Sequence, residues 1–440
     1  MTKVIINYFF FFLAAAVISG CGAGKFLGFE EKKIPLKGKR VSVLKDIEGD
    51  IKNDFSTSKV QLSKLESTDD WKQSYNTASH ISINFLYNRG FNNLSKVTSG
   101  VGSSKDTDFL SQPIVSKNRL IFLDANSNLF VYDLLKKKYK WKKSLVVAKD
   151  KGHNLGGGLA ADDKFIFVSS PYAEVMCIEI DTGKMLWKKQ TITPVRAMPT
   201  LLEKKVIFLT LDNRTLLLNK SNGEIIWEHQ GIQNSTSIIG QPKVAADGNL
   251  VIIPYSNGEV FALNLTNGAE IWRQSTIKLE QSEASNSFSD IDASPIILKN
   301  LIIVASTNGK LFAFNKKNGS KVWEQYVNTS QTPAVNGNSI YLVHNNKEVI
   351  NLDLNNGKIR WLVEIEKYLK NERKNIWFAP VLINSQLVVV GGGKNMLIFN
   401  PYNGELEKKY TLPGVPASPP IIVKQDIFLM FKNASIFSIK

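Results

Sequence analysis

The chain is poor in the residues that carry most metal and redox chemistry. Its 440 residues include two cysteines, Cys21 and Cys177, and four histidines, His80, His153, His229 and His344. Two distant cysteines exclude a disulfide framework. The histidines lack metal-ligand spacing and have no nucleophile near them, so they read as structural or surface groups and point to no metal site. Acidic residues are also short: 39 Asp and Glu stand against 55 Lys and Arg, a formal net charge of +16. Such an excess suits an acidic partner, an anionic membrane surface or nucleic acid, and equally a lysine-rich surface with no partner. No stretch keeps a convincing helical period, which excludes a helical bundle.

One apolar run is present, at the start. After Met1-Thr-Lys3, residues Val4 to Ile18 are apolar and lead through Ser19-Gly20 to Cys21. The run is too short to span a bilayer comfortably and ends in small residues, the pattern of an export signal over residues 1–20. An exported chain is held away from nucleic acid, and no basic–aromatic module appears, so no nucleic-acid partner is expected. Residues 21–68 lack a repeating apolar pattern and carry Lys32, Lys33, Lys37, Lys39, Arg40 and Lys45, as a flexible basic tether would.

What the chain has in abundance is one phrase: an apolar strand, a polar turn ending in Gly, then Trp four residues later. It is plainest in Val260-Phe-Ala-Leu-Asn-Leu-Thr-Asn-Gly268-Ala-Glu-Ile-Trp272 and recurs as Gly183/Trp187, Gly223/Trp227, Gly319/Trp323 and Gly357/Trp361. A second feature counts the units independently: short strands opening at Pro113, Pro199, Pro242, Pro295, Pro333, Pro380 and Pro420, with another at Gly158 that lacks the Pro. Pro is tolerated at the first residue of a strand, where no ladder hydrogen bond is lost. Four short strands per unit, repeating every 38 to 53 residues, predict an all-β chain: an eight-bladed β-propeller of four-stranded antiparallel blades over residues 93–440. Trp141, Trp187, Trp227, Trp272, Trp323 and Trp361 then read as wedges between adjacent blades rather than ligand-stacking groups.

Departures from the repeat locate the ring closure. The last unit stops after three strands, so an N-terminal strand at about 93–101, with Val97 in the Trp position, is expected to join the C-terminal blade. Residues 69–92, with Trp71 and Phe85, are then a segment packed on the propeller, outside that strand. In the first blade the turn has lost its Gly (Lys136-Lys-Lys-Tyr-Lys140), and in the seventh Lys408 replaces Trp. Those two blades are expected to dock less tightly.

Two resemblances add to this reading. Ile18-Ser19-Gly20-Cys21 resembles the lipobox of bacterial lipoproteins, which implies that Cys21 becomes the lipidated first residue and leaves Cys177, in Val175-Met-Cys-Ile, as a small buried hydrophobe without a partner. Gly22, rather than Asp, implies sorting to the outer membrane, on its periplasmic face. The Gly-x-x-x-Trp repeat, with a preceding Asp as in Ile180-Asp-Thr-Gly183, resembles the pyrroloquinoline-quinone (PQQ) type propeller repeat. Quinoprotein dehydrogenases share it with outer-membrane-protein assembly factor B, a lipoprotein of the β-barrel assembly machine.

The enzyme alternative implies a PQQ site, a Ca²⁺ ligand set and often a vicinal cysteine pair; the single internal Cys and the scattered acids such as Glu280, Glu283 and Asp292 show no such motif. The assembly-factor resemblance implies a non-enzymatic scaffold without cofactor, whose partners are the central assembly subunit, unfolded barrel precursors and, through the lipid, the membrane. Ile192-Thr-Pro-Val-Arg196 resembles the family segment whose Arg contacts that subunit, with Thr193 and Val195 in its apolar flank, and Ser289-Asp290-Ile-Asp292 resembles the family Asp-x-Asp segment of the same contact. Read without the family, Arg196 and Asp292 each precede an opening Pro by three residues, so both lie on connections between blades and on one face. The Asp connection is long, 22 residues between Trp272 and Pro295, as binding loops on rigid scaffolds tend to be. A propeller scaffold for another envelope complex is the remaining alternative.

Overall fold

The computed structural model describes residues 55–103, 111–146, 157–195, 197–233, 242–277, 291–307, 309–345, 347–369 and 376–439. Among the described residues the architecture is the eight-bladed all-β propeller that the repeat predicts, with one short 3-10 turn at Ile365–Tyr368. Blade 1 shows the plan: Ile114–Ser116 innermost, then Arg119–Leu123, Asn128–Asp133 and Lys138–Ser144 outermost. Its two middle strands are apolar almost without alternation, because each blade is covered on both faces by its neighbours. Two-residue turns such as Lys117-Asn118 and Asn384-Ser385 hold positive φ at both positions and reverse the inner strands. The outer strand of blade 8 is Leu94–Ser99, paired antiparallel with Ser435–Ile439.

Consecutive blades are joined by one repeated contact. The Trp141 ring lies against Gly183 of blade 2, and its Nε1–H donates to the Ile180 carbonyl at 2.9 Å. The same pair of contacts links Trp187 to Gly223 and Lys220, Trp227 to Gly268 and Leu265, Trp272 to Gly319 and Lys316, Trp323 to Gly357 and Leu354, and Trp361 to Gly404 and Pro401. The turn glycine therefore has two causes. Its φ lies between +71° and +76°, and a Cβ there would stand 2.6–3.1 Å from the indole of the preceding blade.

This pairing explains the two departures from the repeat. Blade 1 needs no turn Gly because blade 8 presents no Trp. Blade 7 carries Lys408 because in blade 8 the corresponding turn is replaced by the two ends of the ring, Ile439 and Leu94. In the other blades a bulge precedes the Trp, as between Cys177 and Ile178. The matching irregularity at Lys96/Thr98 puts Thr98, not Val97, in the Trp position. Thr98 Oγ1 and the Tyr139 hydroxyl of blade 1 are in hydrogen-bond contact, and Tyr139 also donates to the Ser99 carbonyl at 3.1 Å. The expected looseness thus concerns the flanks of blade 8 rather than blades 1 and 7 as such. There an aromatic cluster that includes Tyr87, Phe91, Phe122, Phe130, Phe428 and Phe431 fills the space.

The segment before the ring takes a path that its sequence did not suggest. Residues 55–63, within the stretch expected as the tether, are hydrogen-bonded to blade 6. Ser56 Oγ donates to Asp353 Oδ2 at 3.0 Å and Arg360 Nε donates to the Ser58 carbonyl at 3.0 Å, around a buried Arg360–Asp353 ion pair. Burial pushes the Asp353 carboxyl up, but donors from Ser58, Asn355 and Ser56 and the Arg360 charge outweigh it and hold it below the usual carboxylate range.

Residues 68–85 then pass around the channel, touching the inner strand of every blade in turn. Thr68 accepts from Lys424 of blade 8, Trp71 exchanges two bonds with Val115 of blade 1, and Lys72 accepts from Ala161 of blade 2. The Gln73 side chain pairs with Leu201 of blade 3. Ala78 and Ser79 accept from Ala246 and Ile297 of blades 4 and 5, and Ser82 donates to Val335 of blade 6. Asn84–Phe85 adds to blade 7 as a parallel strand. Of the 69–92 segment, residues up to Phe85 therefore lie inside the ring, along the inner strands, rather than outside the closing strand, whereas Phe91 packs against Tyr410 of the outer strand of blade 7. All these contacts fall at or beside the C-terminal ends of the inner strands, so this strap lies across one mouth of the channel. Inner strands have an unpaired edge toward the channel, and the strap satisfies it. His80 is buried there; burial pushes it down to about 4, and as a neutral ring it donates Nδ1–H to the Pro295 carbonyl at 2.8 Å.

Gly319→Ala, at φ +71° with a Cβ 2.6 Å from Trp272, is expected to cost about 2 kcal/mol or more in thermal melts. Gly248→Ala, at φ +56° with open space around it, should cost less, and the difference measures the indole contact. Deleting residues 55–91 should lower the melting temperature and broaden the transition; an unchanged melt would mean that the inner strands do not need the strap.

Candidate docking face

With the strap across one mouth, the other mouth is ringed by the connections that run from the outer strand of one blade to the inner strand of the next. The blade 2–3 connection is pinned from several sides. Thr191 Oγ1 donates to the Thr193 carbonyl at 2.8 Å, Thr193 Oγ1 donates to Asp212 Oδ1 at 2.7 Å, and Ser169 Oγ donates to the Ala197 carbonyl at 2.6 Å. Val195 has no exposed surface and packs with Phe167, Val206 and Phe208. Of the two residues read from the sequence as partner-contacting, Val195 belongs to the core, whereas Thr193 is half-buried with its hydroxyl held by Asp212. Ile192 of the same connection is 72% exposed instead, and Ile232 of the next connection is 65% exposed. Sequence reasoning passed over these two; the available signal was an isolated Ile among polar residues between repeats.

On the blade 4–5 connection, Ile291 and Ala293 are buried on either side of a half-buried Asp292. Asp292 Oδ1 is inaccessible and meets no hydrogen-bond donor among the described residues. Burial pushes its carboxyl up to about 6. A carboxylate that is desolvated and unpartnered gains from any cation or N–H donor brought to it. Asp212, beside Thr193, has a similar shortfall: its Oδ2 has only Arg214 Nε at 3.9 Å, too long for a hydrogen bond.

Arg196, Asp290 and the lipidation candidate Cys21 lie outside the described residues. The six tryptophans make the interblade contacts given above, away from this face. Cys177 is a free, buried thiol, which burial pushes up to about 12. Among the described residues, no three His, Cys, Asp or Glu side chains are grouped as metal ligands, and no helix is long and apolar enough to cross a membrane. Among the described residues the face thus offers the exposed aliphatic side chains of Ile192 and Ile232 and an acidic group with an open acceptor. That equipment suits docking.

Comparison with known proteins fits the same picture. A profile of the family described as outer membrane protein assembly factor BamB matches residues 128–363. An uncharacterized protein of Rickettsia conorii is 25% identical over 261 residues, 58% of this chain and 62% of that protein, so the match spans less than two thirds of that relative. Outer membrane protein assembly factor BamB of Moranella endobia is 22% identical over 339 residues, 76% of this chain and 86% of that protein. Among solved structures, BamB from Moraxella catarrhalis superposes with a TM-score of 0.66 at 18% identity, covering 79% of this chain and 99% of that one. Quinohemoprotein alcohol dehydrogenase from Comamonas testosteroni does so with a TM-score of 0.64 at 11% identity, covering 85% and 80%. At these identities the structural likeness shows the fold alone.

The raised carboxyl of Asp292 gives a pH test. A folded-state value of about 6 against an ordinary 3.8 means that stability is full below about pH 4 and declines as pH rises through about 6. Asp292→Asn should therefore raise the melting temperature relative to wild type at pH 7.5 and change it little at pH 4. An equal difference at both pH values would show that the carboxyl is not desolvated.

Proposed function

Because the chain belongs to the outer membrane protein assembly factor BamB family, whose profile covers more than half of it, we propose that it is a non-enzymatic lipoprotein scaffold of the outer-membrane β-barrel assembly complex. In this reading Cys21 carries the lipid on the periplasmic face of the outer membrane. The propeller docks on the central assembly subunit through the connection face and aids insertion of unfolded barrel precursors. The observation that carries the docking assignment is that the strap covers the opposite mouth, which leaves the ring of connections, with Asp292 and its open acceptor, as the accessible end of the channel.

The residues proposed for the contact are Arg196, Asp290 and Asp292, with Ile192 and Ile232 supplying the apolar surface first looked for at Thr193 and Val195. Arg suits such a place because its planar fork can engage a carboxylate or carbonyls of the partner while stacking on aliphatic groups. The outer blade edges are weaker candidates for pairing with a precursor strand. A bulge interrupts the outer strand of every blade, and bulged edges resist strand addition.

Arg196→Glu is expected to reduce co-purification of the native lipoprotein with the assembly subunit by more than tenfold, since losing a central Arg anchor commonly costs about 2 kcal/mol or more. Its melting temperature should stay near wild type. Normal recovery of the subunit would remove Arg196 from the contact, and recovery of a different envelope complex would replace the assembly reading.

A further inference from the structure

Between the strap and the inner strands lies a cavity of about 40 Å³. Its floor is Trp71, Tyr75 and Phe85 of the strap, and its walls include Pro333, Pro380 and Pro419 at the openings of three inner strands. Those prolines stand at the end of the channel away from the strap's backbone contacts. The cavity is therefore largely apolar and lies toward the connection end of the channel.

Two polar groups of this pocket, Trp71 and Thr332, present donors, while Gln112 Nε2 is spent on the Pro419 carbonyl at 3.3 Å. Trp71 is 4% exposed, and its buried Nε1–H has no partner among the described residues. Thr332, 3% exposed, accepts at Oγ1 from the Tyr75 hydroxyl at 2.7 Å and from the Ser294 N–H at 2.8 Å. With both lone pairs engaged, its own O–H can only donate. Lys243, beside the lining residues rather than among them, is tied through its N–H to Ser294 Oγ at 2.9 Å, with Nζ 5.9 Å from the centre of the Tyr75 ring. Among the described residues it has no carboxylate partner. The neighbouring His80, 5.0 Å from Tyr75, spends its Nδ1–H on Pro295 and offers no negative charge.

An apolar wall bearing donors, with an ammonium group close to its Tyr75, calls for an apolar group that carries an anionic acceptor. We propose that this pocket binds the C-terminal residue of an extended peptide, an aliphatic side chain seated on the prolines and its carboxylate held by Trp71, Thr332 and Lys243. The size favours a side chain over a lipid tail: a water needs about 10–15 Å³ of such space, so the cavity holds roughly three water-sized groups. The inference stands on the channel alone and does not depend on the assembly-factor reading.

The test is fluorescence anisotropy of the full-length protein in detergent with a fluorescein-labelled hexapeptide ending in leucine. Saturable binding is expected with the free carboxylate, weakened about tenfold or more when the terminus is amidated or when Lys243 is changed to Met. Trp71→Phe, which keeps the ring and removes the donor, should weaken it several-fold. Lys243 is only partly buried, so Lys243→Met should leave the melting temperature unchanged and the result does not hinge on the buried variant folding. No saturation, equal binding of acid and amide, or indifference to Lys243→Met would overturn the proposal. Binding of octanoate without binding of the peptide would also overturn it and assign the pocket to a small fatty acid.

Discussion

The fold depends on an indole of one blade laid on a glycine of the next. Burying an indole removes on the order of 150–250 Å² of surface from water, roughly 4–6 kcal/mol at 25 cal/mol per Å². The accompanying Nε1–H bond to a turn carbonyl adds about 1 kcal/mol net. Burial therefore supplies most of the attraction, and the hydrogen bond sets the angle at which the ring lands. Because the contact needs a bare backbone with positive φ beneath the ring, Trp and Gly appear together and disappear together along the chain.

That coupling fails at one place in the circle, where chain ends meet and no turn exists to receive a ring. The molecule replaces the indole contact there by different chemistry: a hydroxyl pair between Thr98 and Tyr139, and a cluster of aromatic rings to which blade 1, blade 8 and the segment before the first blade all contribute. The same N-terminal stretch continues as a strap that binds all eight inner strands. Closure is thus a property of residues 55–101 acting together, and the strap's second consequence is to make the two mouths of the channel unlike. One is covered; the other carries the connections and the donor-lined pocket.

The candidate site was only partly legible beforehand. The connections bearing Arg196 and Asp292 stand out in the sequence as interruptions of the repeat. Which side chains on them face solvent does not, because a connection has no period from which to read an inward and an outward face. Val195 looked like a contact residue and is core; Ile192, three residues earlier, is bare. The desolvation of Asp292 likewise follows from the way Ile291 and Ala293 on either side of it pack into the blade cores, which their identity alone does not reveal.

By itself the amino-acid sequence determined the number of blades, the strand order within each, and the wedge role open to the tryptophans, since all three follow from local periodicity and from contacts at a fixed repeat distance. Only the tertiary structure decided the path of the strap, the substitution of Thr98 for Trp, and the mouth left open. Those rest on single pairings such as Asn84 with Leu382 and Trp71 with Val115. Such pairings join distant stretches once each and leave no recurring pattern behind.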